Sequence, residues 1–293
     1  MEQKPESRTA VCEVCFRRCR IPEGGTGACL ARGNRGGKVV PLNYGMAVAL
    51  ALDPIEKKPL RRFFPGSRIL SVGSFGCNLR CPFCQNDEIS TAGLPDAESM
   101  TRKSMAREIS PGELVRLAAS LRDEGNLGIA FTYNEPLVGW EYVRETAERS
   151  HAEGMKNVLV TNGTASVTIL RELLPVIDAM NIDLKGFTES FYRDYLGGDL
   201  AMTKRFIEEA AGRCHVELTT LLIPGKNDTE EEIRAETAWI ASLNGGRGAE
   251  IPLHLSRYFP RYRETIPATD PAEVYHLADI ARENLRYVYP GNC

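Results

Sequence analysis

Cys77, Cys81 and Cys84 fall within one eight-residue stretch, Cys77-Asn78-Leu79-Arg80-Cys81-Pro82-Phe83-Cys84, which follows the apolar run Ile69-Leu70-Ser71-Val72. The spacing C-x3-C-x2-C supplies three thiolates rather than four. A cubane iron–sulfur cluster, [4Fe-4S], has four irons and is ordinarily held by four cysteines. Three ligands on one tight loop would leave one iron open, and an open position is where a metal centre does chemistry. Two plainer uses compete. Cys81-Pro82-Phe83-Cys84 alone would serve as a thioredoxin-type redox pair, a task for which Cys77 is surplus. A structural zinc site would want a fourth Cys or His, and none follows soon after Cys84.

A second group, Cys12, Cys15, Cys19 and Cys29, has the spacing C-x2-C-x3-C-x9-C across the turn-rich segment Ile21-Pro22-Glu23-Gly24-Gly25-Thr26-Gly27-Ala28. Four thiolates without histidine suit tetrahedral zinc or an auxiliary iron–sulfur cluster, and spacing does not choose between them. The plain alternative is a set of reduced, idle cysteines. Net charge is −3 with 26% charged residues, so no strong field recruits nucleic acid or an anionic membrane. The polar start, Met1 to Arg8, lacks the apolar core of a secretory leader, and no apolar run has the length of a membrane span. These features predict a cytoplasmic protein whose nine cysteines serve metal or catalysis rather than disulfides.

The elements that must position these thiols follow a strand–helix rhythm. Residues 1–66 read as a small Cys-rich module with short strands at Val39-Val40 and Met46–Leu50, joined to the rest by Asp53-Pro54-Ile55-Glu56-Lys57-Lys58-Pro59-Leu60. From Ile69 onward strands are predicted at Ile69–Val72, Gly128–Thr132, Asn157–Thr161, Met180–Leu184, His215–Ile223 and Ile251–Leu255, with a short final one at Tyr287–Tyr289. Helices are predicted after Ser110-Pro111-Gly112-Glu113, over Leu137–Glu153, Val167–Leu174 and Ala201–Ala211, after Thr229-Glu230-Glu231-Glu232, and from Asp270-Pro271-Ala272-Glu273. Ser110 with Glu113, and Thr229 with Glu232, have capping-box spacing. Repeated βα units imply a parallel sheet with right-handed crossovers. Six units are too few for an eight-stranded barrel, so the expected fold is α/β, a partial (β/α)6 TIM-like barrel over 67–293.

Polar residues collect where such a barrel carries its chemistry, after the C-terminal ends of strands. They are the Cys77 loop ending Cys84-Gln85-Asn86, Tyr133-Asn134-Glu135-Pro136, Thr161-Asn162-Gly163, Asp183-Leu184-Lys185, Pro224-Gly225-Lys226-Asn227-Asp228, and His254 with Arg257. Taken singly, Glu135 reads as a helix-start carboxylate, Asn162-Gly163 as a turn and His254 as a core histidine.

As a series, together with C-x3-C-x2-C, these residues resemble the radical S-adenosylmethionine (radical SAM) enzymes, and within them the activases of glycyl-radical enzymes, the pyruvate formate-lyase activating group. The likeness runs from about Ile69 to about Ser256. The N-terminal cysteines and Asp53–Leu60 resemble, more narrowly, the radical SAM member of the AmmeMemoRadiSam group, whose associates are Memo-like and AMMECR1-like proteins. The resemblance implies that Cys77, Cys81 and Cys84 hold a [4Fe-4S] cluster whose open iron takes SAM. It places Asn134-Glu135 where the family's Gly-Gly-Glu segment binds the SAM amino group. Thr161, Asn162 and Asp183, with Lys185, would line the ribose and carboxylate region, and His254 the far side of the cleft. A reductant such as flavodoxin or ferredoxin is implied as electron donor. Two positions depart from the activases: Val160 stands where cation-binding members carry aspartate, and Thr219 where they carry arginine. The expected reaction is reductive cleavage of SAM to a 5′-deoxyadenosyl radical, directed at a glycyl-radical protein or, given the departures, at a small molecule or another peptide. The different-class alternative is a non-enzymatic metal-binding or thiol-redox protein.

Overall fold

Strands whose residues alternate between two apolar surroundings need cover on both faces, and the chain supplies helices for one and its own N-terminal segment for the other. The computed structural model describes residues 8–91 and 106–293, so the polar start that argues against a leader lies almost wholly outside the described residues. The elements are β1 (Ala10–Val11), β2 (Arg20–Ile21), β3 (Arg32–Arg35), β4 (Lys38–Pro41), β5 (Met46–Ala47), β6 (Ala49–Pro54), β7 (Arg68–Gly73), α1 (Asp87–Ser90), β8 (Arg107–Glu108), α2 (Pro111–Ser120) and β9 (Asn126–Phe131). They continue with α3 (Trp140–Ala152), β10 (Lys156–Thr161), α4 (Val167–Leu173), β11 (Ala179–Asp183), α5 (Leu200–Ala210), β12 (His215–Leu222), α6 (Glu230–Gly246), β13 (Leu253–Arg257), α7 (Pro271–Ala281) and β14 (Val288–Gly291).

The main sheet has eight strands in the order β14-β13-β12-β11-β10-β9-β7-β6. All neighbours from β7 to β14 are parallel, and β6 is antiparallel to β7. This alternating βα architecture is the expected partial (β/α)6-like barrel. The predicted Met46–Leu50 strand is two strands. β5 turns away at Val48 to pair with β8, while β6 joins the barrel sheet.

Register sorts the strand residues. Ile129, Leu159, Met180, Ile182, Leu218, Leu253 and Leu255 pack outward among the helices in the large core. Ile69, Ala130, Val158 and Ala179 face inward and pack with Ile55, Leu60 and Phe63. The predicted linker is therefore a plug: after β6 the chain enters the barrel and fills its base. Ile55 and Leu60 are wholly buried, and burial of side chains this size contributes about 1.5–3 kcal/mol each.

Helix starts follow their sequence signals with one exception. Ser110 and Glu113 form the reciprocal capping box, and Asp270 caps α7 ahead of Pro271. Thr229 caps α6, but Glu232 does not complete the box. Its carboxylate instead accepts from the Phe187 N–H at 2.5 Å, pulling the loop after β11 onto α6.

α6 also buries Glu236 completely. The Thr220 hydroxyl lies 2.8 Å from the Leu184 carbonyl and 2.5 Å from Glu236 Oε1. One hydroxyl carries one proton, so both contacts are satisfied together when the Glu236 carboxyl is protonated and donates to Thr220. Burial pushes Glu236 up to about 8 from 4.5. A folded-state value raised above the unfolded one means that folding binds a proton. That stabilisation is full below the unfolded value of 4.5 and is lost as pH rises toward 8. Glu236→Gln is expected to remove a slope of up to about 1.4 kcal/mol per pH unit. Urea unfolding across this range should show the variant gaining on wild type as pH rises. Parallel pH profiles would place the proton elsewhere.

Candidate functional site

The Cys77 loop leaves β7 and is held from several sides. Arg80 N donates to the Leu196 carbonyl at 2.8 Å, and Arg263 N to the Pro82 carbonyl at 2.9 Å. Arg17 reaches in from the N-terminal module, donating to the carbonyls of Asn78 at 2.6 Å and Gly197 at 2.7 Å. The Arg80 side chain in turn donates to the Ala28 carbonyl. Gly76 opens the loop at φ +90°, and a Cβ there would sit 2.5 Å from the Cys29 carbonyl oxygen. Only glycine allows the module to approach this closely.

Asn78, Asn162 and Thr164 form a buried clamp. Asn162 Nδ2 donates to Asn78 Oδ1 at 2.9 Å, and Asn78 Nδ2 to Thr164 Oγ1 at 2.8 Å. The Thr164 hydroxyl and N–H both point at Asn162 Oδ1. Asn162 Nδ2 also lies 3.8 Å from Cys77 Sγ, and Leu79 N 3.4 Å from it.

At the C-terminal ends of the parallel strands lies a cavity of about 640 Å³. Cys77, Cys81 and Cys84 line it, as do Asn134, Glu135, Thr161, Asn162, Asp183, Lys185 and His254. Val160 and Thr219, the two departures from the activases, line it as well. Cys12, Cys15, Cys19 and Cys29 lie outside this lining. They lie in the N-terminal segment that packs against the Cys77 loop, where Ser166 N donates to the Val14 carbonyl at 2.8 Å.

Each carboxylate around the cavity has its own surroundings. Glu135 caps the short helical turn Pro136–Gly139, accepting from Leu137 N at 3.1 Å. It also accepts from the Thr161 hydroxyl at 2.7 Å and from Asn162 N at 2.8 Å. Burial nevertheless pushes it up to about 7. Asp183 pairs with Lys185 at 2.8 Å. His254 Nε2 meets Glu217 Oε2 at 2.7 Å, and His215 Nε2 meets Glu217 Oε1 at 2.9 Å. The same carboxylate accepts from Arg61 N and Arg62 N at 3.0 and 2.8 Å. Burial opposes its ionisation, yet these four donors hold Glu217 down to about 2. Asn134 faces the strand rather than the cavity centre: its amide bonds Ser74 N and the Gly76 carbonyl, both at 3.0 Å.

A second cluster stands beside the cavity. Lys58, almost fully buried, pairs with Asp53 at 2.8 Å and lies 4.6 Å from the centre of the Tyr133 ring. The Tyr133 hydroxyl donates to Asp53 at 2.7 Å. Tyr133 holds φ +74°, a strained value for this residue, between that bond and one from Asn86 Nδ2 to its carbonyl. The strand-end pattern does not reveal Glu217, Asp53 or Lys58. Glu217 does carry a signal, because His215, Glu217 and Thr219 alternate with apolar residues on the inward face of β12.

The donor set fits the cluster that the sequence implies. Three thiols on one loop share a cavity, and two N–H groups point at Cys77 Sγ, the kind of contact that ligating sulfurs accept. Among the described residues no three of His, Cys, Asp or Glu converge on a single ion. A four-iron cube with one open position asks for something else, one thiolate on each of three separate irons.

Residues 71–236 match the Radical SAM superfamily, and the chain belongs to that superfamily. Membership makes it an enzyme of SAM-dependent radical chemistry and sets aside the non-enzymatic reading. The chain is similar to an uncharacterized protein of Methanocaldococcus jannaschii, 35% identical over 300 residues, covering 99% of this chain and 83% of that one. It is similar to the GTP 3′,8-cyclase of Peptoclostridium acidaminophilum, 32% identical over 162 residues, covering 53% of this chain and 46% of the cyclase. A domain of the pyruvate-formate lyase-activating enzyme from Bacteroides vulgatus shares the fold, with a TM-score of 0.50 at 18% identity over 56% of this chain and 99% of that domain. Among the described residues no helix is long and apolar enough to cross a membrane.

Proposed function

We propose that this enzyme cleaves SAM reductively at a [4Fe-4S] cluster held by Cys77, Cys81 and Cys84, and directs hydrogen abstraction at a small molecule or a peptide. The observation that carries the reading is the meeting of the three thiols with Glu135 in one cavity. When bound, the cluster and SAM would supply an electron and a 5′-deoxyadenosyl radical. The chain's residues bind and orient. Glu135 has one lone-pair direction of Oε2 left after its three donors, suited to the SAM ammonium. Thr161 and the Asn162 backbone fix that carboxylate, while the Asn162 side chain braces the Cys77 loop. Asp183 and Lys185 offer a paired charge to the ribose and carboxylate region, and the plug keeps water from the barrel base.

A small or peptide substrate is favoured over a glycyl-radical protein by the similarity to a cyclase named for GTP. Thr219 and Val160 support it too, since both keep the inner wall free of the charged groups of the activases. The activase reading rests on motif likeness alone. The narrower AmmeMemoRadiSam resemblance, with Memo-like and AMMECR1-like partners and a flavodoxin or ferredoxin donor, rests on the N-terminal cysteines and Asp53–Leu60. Anaerobic reconstitution followed by a SAM-cleavage assay tests the proposal. Iron–sulfur absorbance together with 5′-deoxyadenosine supports it, and cluster assembly without SAM cleavage overturns it.

Cys12, Cys15, Cys19 and Cys29 are proposed to hold a second centre, zinc or an auxiliary cluster, in a module over residues 1–66. The division from the barrel over 67–293 is one of function, since β6 runs on in the barrel sheet. Metal would supply much of the folding energy of so small a segment. Changing all four to Ser is expected to lower metal per chain and N-terminal stability while SAM cleavage stays detectable. Metal analysis decides: lost iron marks a cluster, lost zinc a structural knuckle, and unchanged content shows that these cysteines bind nothing.

A further inference from the structure

The segment Asp53–Arg62 does more than plug the barrel. It sets three cations, Lys57, Lys58 and Arg61, along the cavity wall. Lys58 is matched by Asp53 at 2.8 Å. Lys57 is 3.5 Å from the same carboxylate, which Lys58 and the Tyr133 hydroxyl already share. Arg61 has no carboxylate partner among the described residues. Glu217, which Arg61 N approaches, is occupied by four donors, and the cavity carboxylates Asp183 and Glu56 already have partners in Lys185 and the Gly66 N–H at 2.7 Å. The Arg61 backbone is fixed by its N–H bond to Glu217, and its guanidinium carbon lies 5.9 Å from the centre of the Tyr289 ring on β14. A fork of donors is thus fixed at its backbone, near an aromatic ring and exposed on the cavity wall.

We propose that Arg61, with Lys57 lining the same cavity, receives an anionic oxygen group of the substrate, a carboxylate or a phosphate, on the β14 side of the cavity. The inference rests on reading this cavity as the substrate site. A planar guanidinium matches either group bidentately, so an unpaired fork on a cavity wall selects an anionic oxygen group by its geometry. The substrate would then lie between Arg61 and the Cys77 loop, with His254 and Tyr289 along its flank. This also gives the Asp53–Leu60 motif a purpose: Asp53, Lys58 and Tyr133 lock the segment so that Arg61 is presented at a fixed place.

The test uses the full chain as purified and titrates inorganic phosphate and succinate separately, followed by NMR line broadening. Wild type is expected to bind at least one saturably, and Arg61→Gln to weaken that binding about tenfold or more. Arg61→Lys should recover part of it, because the charge returns without the fork. Which anion binds tells phosphate from carboxylate. Absence of saturable binding in wild type, or equal binding in Arg61→Gln, overturns the inference. SAM cleavage by reconstituted wild type is read independently. Arg61-dependent anion binding without SAM cleavage would leave the subsite standing and remove the radical reading, and the converse would do the opposite.

Discussion

Replacing any one of Cys77, Cys81 and Cys84 by Ala is expected to abolish formation of 5′-deoxyadenosine. The effect should be the largest of any single change because the three thiols share one short loop with no spare donor. A fourth cysteine at the cavity would let the site survive a loss, but the other described cysteines stand outside its lining. The loop itself should persist in each variant. Its main-chain groups are held by the Leu196 carbonyl, the Arg263 N–H and the Arg17 side chain, none of which involves the thiols. The fold should therefore melt near wild type while iron per chain falls. Full SAM cleavage in any of the three variants would sink the assignment.

The parts of the molecule that were legible in the sequence are those whose signal is local. Inward and outward residues of β9 to β13 alternate with period two, and Ser110-Pro111-Gly112-Glu113 writes a helix start into four residues. Parallel βα order then forces every strand end to one side. That is why the sequence alone groups Asn134, Glu135, Thr161, Asn162, Asp183, Lys185 and His254, and all of them line one cavity. What stayed hidden depends on contacts between distant segments. Asp53 and Tyr133 are 80 positions apart, and nothing near either announces the other. Asp53–Leu60 reads as a linker because its apolar residues are few, yet Ile55 and Leu60 are wholly buried once the barrel surrounds them. Glu232 has the spacing of a capping box but bonds Phe187 instead, a choice set by the loop that packs against α6. The Asn78–Asn162–Thr164 clamp was equally invisible, since short amides are common in loops and only tertiary placement turns them toward each other.

Glu135→Gln is expected to weaken SAM binding about ten- to a hundredfold, the loss of a charge-assisted hydrogen bond worth about 1.5–3 kcal/mol. The geometry sharpens how this must be read. The carboxylate already accepts from Leu137 N, Thr161 Oγ1 and Asn162 N. An amide in its place turns a donor toward one of those donors, at a cost of about 1–3 kcal/mol for the unsatisfied group. The variant should therefore also melt lower, and affinity must be compared at a temperature where both proteins are folded. pH separates the two effects. Burial holds Glu135 near 7 in the free protein, whereas an ammonium partner needs the ionised form. Wild-type affinity for SAM is expected to rise with pH up to about 7 and flatten above it, because below that point binding must first expel a proton. Glu135→Gln has no proton to lose and should show a flat profile over the same range. A titration series across this window is the deciding measurement. Unchanged affinity with a lowered melting temperature, or a wild-type profile already flat, would confine Glu135 to capping Pro136–Gly139 and tying the loop after β9 to the end of β10.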